Sequence, residues 1–155
     1  PHERKVIVTA SAFHDIGKMG IDEKILNKSG QLTEEEYIVM KSHTLIGASM
    51  LARLDHYRDE ELARTAYQIC RWHHERSDGL KGEEIPIAAQ VVSIADAYDA
   101  LISPRVYKEG FSHEQAMQMI RNGECGAFNP LLIECLEDSQ SRIRYLASMT
   151  AERFS

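Results

Sequence analysis

His14 and Asp15 stand side by side with Lys18 three residues on, and His43, the pair His73-His74 and Asp96 follow downstream. Imidazole and carboxylate are ligands that divalent transition metals favour, and paired metals commonly share a bridging carboxylate. Neighbouring side chains on a helix diverge by ~100°, so one member of the His14-Asp15 pair can ligate one ion while the other bridges. Asp96 lies in Ile94-Ala95-Asp96-Ala97, beside an apolar face, where deep burial of a carboxylate requires a cation. Taken singly, a histidine on an amphipathic helix is usually a satisfied core or surface residue, and His2, His56 and His113 are read that way. Taken together, the set has the parts to hold two divalent metal ions and to break a phosphate ester between them.

The elements that must position these residues read as helices. Val6, Ile7, Ala10 and Phe13-His14 fit one face of a short helix predicted to end at Gly17, as a C-terminal glycine would. After the polar connector Asn27-Lys28-Ser29-Gly30-Gln31, Thr33 and Glu36 form a capping box. The helix it opens is predicted to carry Tyr37, Met40, Thr44, Ala48 and Leu51 on one stripe, with His43 beside it. A further helix from about Asp59 to His74 places Leu62, Ala66, Ile69, Cys70 and His73 along its buried side. Arg76 to Gly82 reads as a loop, and Pro86 suits the first turn of a helix running through Ile87, Val91, Ile94, Ala95, Tyr98 and Leu101. Ser112 with Gln115 caps another helix, closed by Asn122-Gly123. Asn129-Pro130 starts the last helical region, which is expected to break near Asp138-Ser139. Only Val6-Ile7-Val8 is ambiguous with a strand.

The chain has 155 residues, enough for one domain with a proper core. With 43% hydrophobic and 27% charged residues and a net charge of −6, it is ordinary globular material. The negative balance argues against a nucleic-acid partner, whose phosphates call for Lys and Arg. It leaves room for a small phosphorylated ligand, because bound metal reverses the local sign. Cys70, Cys125 and Cys135 are odd in number and imply no disulfide framework; Cys70 and Cys135 read as small core residues, and the usage is that of a cytoplasmic protein. No apolar run approaches the ~18 residues of a membrane span.

The motifs His14-Asp15-Ile16-Gly17-Lys18, Leu26-Asn27-Lys28, Leu32-Thr33-Glu34-Glu35-Glu36, Met40-Lys41-Ser42-His43-Thr44, His73-His74-Glu75-Arg76 and Ala95-Asp96-Ala97-Tyr98-Asp99-Ala100-Leu101 resemble the HD-GYP family. This is a branch of the HD metal-dependent phosphohydrolases. The likeness continues through Arg105-Val106-Tyr107-Lys108 and Gly126-Ala127-Phe128-Asn129-Pro130, so it covers most of the chain. It implies an all-α, HD-domain-like multi-helix bundle that hydrolyses cyclic di-GMP, a bacterial second messenger, with two or three divalent metal ions, typically iron or manganese. By that resemblance His14 would ligate one metal and Asp96 would close its shell. Asp15 would bridge, and His43, His73 and His74 would complete the second metal's shell. Lys18 would lie beside the scissile phosphate, and Arg105 and Lys108 would grip the ligand's phosphates. The implied mechanism is attack in line on phosphorus by a metal-bridging water. The implied setting is the cytoplasmic output domain of a longer bacterial signalling protein, fused to a sensor or receiver domain and compatible with a homodimer.

Two departures bear on this expectation. The family's Gly-Tyr-Pro element has no counterpart here, because Glu75-Arg76 passes directly to Ser77-Asp78-Gly79. A family helix that supplies a further histidine would lie before Pro1. The expected domain is therefore a single HD-GYP-like unit over residues 1–155, N-terminally truncated and lacking the Gly-Tyr-Pro loop between Arg76 and Ser77. Two other readings stay open: a catalytically degenerate module that binds a nucleotide or a partner, and an HD phosphohydrolase acting on another nucleotide.

Overall fold

The computed structural model describes residues 2–54, 57, 59–76, 84–104 and 110–154, without the side chains of 147 and 150–154. Helix α1 (His2–Ser11) gives way to an irregular turn carrying His14 and Asp15, then to a 3-10 segment, Ile16–Gly20. There follow α2 (Glu23–Leu26), α3 (Glu34–Lys41), α4 (His43–Ala52), α5 (Glu61–Trp72), α6 (Ile87–Ile102), α7 (His113–Arg121), α8 (Pro130–Asp138) and α9 (Gln140–Phe154). Among the described residues there is no strand, and no helix is long and apolar enough to cross a membrane. The all-α expectation holds.

Local chemistry explains most of the boundaries. Thr33 accepts from the Glu36 amide at 3.2 Å while Glu36 accepts from the Thr33 amide at 2.7 Å, closing the predicted capping box of α3. Ser112 and Gln115 do the same for α7. Asn129 accepts from the Leu131 amide with Pro130 at the first helical position of α8. Gly123, at φ +73°, takes the left-handed turn after α7 that a side chain would resist. The break between α8 and α9 falls at Ser139, as expected.

Three boundaries differ. α1 ends at Ser11, not at Gly17, and the segment between them is bent to present His14 and Asp15. Gly17 is needed for another reason: a Cβ there would lie 1.9 Å from the His43 carbonyl oxygen and 2.5 Å from the Gly47 amide. The single helix expected after Thr33 is two, α3 and α4, divided at Ser42, whose hydroxyl donates to the Val39 carbonyl. The helix expected over Asp59 to His74 spans Glu61–Trp72, which leaves His73 and His74 in the turn that follows.

Two apolar clusters sit on either side of α6. Ala88 and Val92 join Ala10, Ala66 and Ile69 in one, where small side chains let α1, α5 and α6 approach closely. Ile94, Ala97 and Tyr98 join Ala116, Met117, Ile120 and Phe128 in the other. Cys70 is fully buried beneath Gly47, as expected of a core thiol, whereas Cys135 is exposed on α8, contrary to expectation. Burial pushes the Cys70 thiol up to about 11, with the nearby Asp15 charge acting in the same sense. Leu62, predicted on the buried side of α5, is exposed as well, because it lies in the first turn, beyond the packed part of that helix.

Candidate metal centre

Four elements deliver the predicted residues to one place. The turn after α1 brings His14 and Asp15, the start of α4 brings His43, the turn after α5 brings His73 and His74, and α6 brings Asp96. His14 Nε2 lies 3.2 Å from Asp15 Oδ2 and 3.8 Å from Asp96 Oδ1. On the other side of the same carboxylate, Asp15 Oδ1 lies 3.2 Å from His43 Nε2 and 3.8 Å from His73 Nε2. One ligand atom from each of Asp15, His43, His73 and His74 falls within 4.8 Å of the others. Lys18 donates to Asp15 Oδ2 at 2.5 Å.

The imidazoles are held in one tautomer. His14 Nδ1 meets the Ser11 carbonyl at 2.8 Å, His43 Nδ1 meets the Met40 carbonyl at 2.6 Å, and His73 Nδ1 meets those of Ile69 and Cys70 at 3.1 and 3.2 Å. A carbonyl can only accept, so each Nδ1 carries hydrogen and each neutral ring turns the Nε2 lone pair inward. Asp15 Oδ1, His43 Nε2 and His73 Nε2 are buried and make no hydrogen bond among the described residues. Lone pairs facing a carboxylate oxygen are reconciled by a cation. The residues fit a divalent metal.

Electrostatics agree. Burial alone would raise the Asp15 carboxyl, but the imidazoles of His14 and His43 and the Lys18 ammonium hold it well below the carboxylate range. Once protonated, His14 donates to Asp15, which lifts it above its ordinary value, against the effect of its own burial. Burial and the His14 charge push His73 down to about 4. Burial against the site and the neighbouring His73 and His43 also lower His74, although the residue as a whole is exposed.

A pH dependence follows for the metal-free protein. A histidine of ordinary pKa 6.5 that is held at about 4 in the fold is neutral in both states above pH 6.5. Below it, the unfolded chain takes up a proton that the fold refuses, so stability is lost from pH 6.5 down to about 4. For His73, which is fully buried, the loss is on the order of 3 kcal/mol. His14, raised in the fold, contributes in the opposite sense, with its stabilisation present below 6.5 and lost as pH rises through its folded value. Thermal melts of chelator-treated protein are expected to show a midpoint falling steadily across that window. A flat profile there would mean that His73 is protonated in the fold.

Arg76, which sequence reasoning placed only within a motif, braces this centre. Its guanidinium donates to the carbonyls of His73 at 3.1 Å and Cys125 at 2.9 Å and to Ser93 Oγ at 2.5 Å, and lies 4.7 Å from the Phe128 ring centroid. It thereby joins the turn after α5 to α6 and to the loop before α8. Gly126, at φ +90°, makes room, since a Cβ would meet Arg76 Cγ at 2.7 Å. The available signal was an arginine at a helix end followed by a distant glycine, which no spacing rule connects.

The centre opens into a cavity of about 610 Å³ whose wall includes Lys18, His43, His74, Lys28, Lys41 and Arg76. That volume lies in the range of small-molecule sites, and its wall is cationic despite the net negative charge of the chain. Of the predicted residues, Arg105 and Lys108 lie outside the described residues, as does His56. His2 pairs at the surface with Glu61 and His113 with the Tyr98 hydroxyl, so both stand apart from the centre.

This fold and this centre define an all-helical domain with a part-buried histidine–carboxylate cluster. A family model described as "HD domain" matches residues 2–129, and the chain belongs to that family. It is similar to a cyclic di-GMP phosphodiesterase of Vibrio cholerae, with 41% identity over 137 residues covering 84% of this chain and 28% of that protein. It is also similar to a cyclic di-GMP phosphodiesterase of Thermotoga maritima, at 39% identity over 81% of this chain and 34% of the relative. A 3'3'-cGAMP-specific phosphodiesterase 2 of Vibrio cholerae is 35% identical over 86% of this chain and 26% of its own length. The chain thus spans about a quarter to a third of these relatives.

Proposed function

We propose that the chain is a metal-dependent phosphodiesterase domain that hydrolyses cyclic di-GMP as the output part of a longer bacterial signalling protein. One observation carries the reading: Nε2 atoms of His14, His43 and His73 converge on the Asp15 carboxylate, each ring fixed by a backbone carbonyl. In this reading His14 and Asp96 hold one ion, His43, His73 and His74 hold a second, and Asp15 lies between them. Iron or manganese suits such a mixed imidazole and carboxylate set. Bound there, such ions supply Lewis acidity, which activates water and screens phosphate charge.

The remaining steps belong to side chains. Lys18 is anchored to Asp15 yet lines the cavity, so its Nζ carries a proton beside the place a phosphate would occupy. From there it offers that proton to the departing oxygen or neutralises the charge that grows on it. Arg105 and Lys108 are proposed to hold the ligand's phosphates. The similarity to two cyclic di-GMP phosphodiesterases supports the substrate.

The test is to load the protein anaerobically with Fe(II) or with Mn(II), count the metal by elemental analysis, and follow cyclic di-GMP by chromatography. Turnover that requires metal and stops with chelator is expected. Stoichiometric metal with cyclic di-GMP left intact would instead identify a binding module.

A further inference from the structure

Beyond the metal centre, the cavity runs away from His43 and His74 into a slot between α2 and α3. Ile25 and Leu26 of α2 and Tyr37 and Met40 of α3 line it, and Lys28 and Lys41 border it. Tyr37, which its spacing places on the stripe with Met40, is 57% exposed. Its ring has Lys41 Nζ 5.8 Å from the centroid, and Lys28 is fixed by Glu36 at 2.5 Å. Glu36 is itself held by the α3 capping box, so the Lys28 ammonium is preplaced, with donors beyond the one given to Glu36. An exposed aromatic ring with an ammonium over one face, thioether and aliphatic side chains lining the same cavity, and two ammonium groups beside them match a purine linked to a phosphate. A phosphodiester small enough to fit at the metal centre alone would leave this slot empty.

We infer that the α2–α3 slot is a second subsite, in which Tyr37 stacks a purine base of a cyclic dinucleotide while Lys28 and Lys41 face the phosphate remote from the cleaved one. The inference rests on the phosphodiesterase reading and makes Tyr37 a determinant of substrate size and base. A ligand bound in this way spans two ends of one cavity, which accounts for its extension to α2 and α3.

The test compares cyclic di-GMP with methyl 4-nitrophenyl phosphate, a diester that has one phosphate and no purine, on the metal-loaded chain. Tyr37→Ala is expected to raise KM for cyclic di-GMP about tenfold and to leave kcat within about twofold, the scale of one lost base stack. Turnover of methyl 4-nitrophenyl phosphate should be unchanged, and Tyr37→Phe, which keeps the ring, should behave as wild type. An unchanged KM for cyclic di-GMP, or an equal loss on both compounds, would overturn the subsite. If wild type hydrolyses neither compound, the phosphodiesterase reading falls, and calorimetric titration of intact cyclic di-GMP decides the subsite. A Kd weakened about tenfold by Tyr37→Ala keeps it; an unchanged Kd, or no binding, overturns it.

Discussion

Asp15→Asn is expected to weaken divalent metal binding by more than about a hundredfold, with phosphodiester turnover falling at least as far. The substitution keeps shape and removes charge, so it tests what the carboxylate does and not what space it fills. Asp15 receives His14 and Lys18 on one oxygen and faces His43 and His73 with the other, at 2.5 to 3.8 Å. Removing an outer partner of a metal ligand typically costs about 10–100-fold in affinity, and a group between two half-sites should cost more. Elemental analysis after dialysis reads the metal, and chromatography reads the product. The chelated variant offers a third readout. Asp15 lifts His14 above its ordinary pKa, so the variant's His14 should titrate lower by NMR. A variant with full metal content and turnover within about threefold of wild type would remove Asp15 from the centre, since a change that small is under about 1 kcal/mol.

The sequence carried the ligand set plainly because metal sites need few residue types, and those types are costly to gather beside an apolar core without a cation. Capping chemistry was equally legible: Thr33 with Glu36, Ser112 with Gln115 and Asn129-Pro130 each act within a few residues and need no tertiary partner. What escaped depended on contacts between distant segments. Three- and four-residue spacing placed Tyr37 and Leu62 on apolar faces, but spacing cannot say whether a neighbouring element covers them, and both are exposed. The break at Ser42 was hidden because the three- and four-residue stripe continues across it. Arg76 reaches acceptors on three segments, and its role became visible only when those segments were placed.

Gly17 is the sharpest case of such a contact, and Gly17→Ala is expected to be the most destabilising small substitution in the turn. The added methyl would fall 1.9 Å from the His43 carbonyl oxygen and 2.8 Å from its carbon, both backbone atoms of the first turn of α4. Backbone cannot rotate away, so the 3-10 segment and α4 must separate, at about 3 kcal/mol or more. For a domain of this size, that lowers the thermal midpoint by roughly 6–12 °C. The same displacement carries His43 away from Asp15, so metal affinity should fall along with stability. Gly47→Ala is the informative comparison, because its nearest obstruction is the Cys70 thiol at 2.4 Å, a side chain. Cys70→Ala should therefore recover part of the Gly47→Ala loss and none of the Gly17→Ala loss, which a double-mutant cycle would read directly. Gly30, whose added Cβ meets nothing within 4 Å, should tolerate alanine within about 0.5 kcal/mol. If Gly17→Ala melts with Gly30→Ala and retains metal, the two backbones are farther apart than the structure places them. His43 would then need another element to hold it against Asp15.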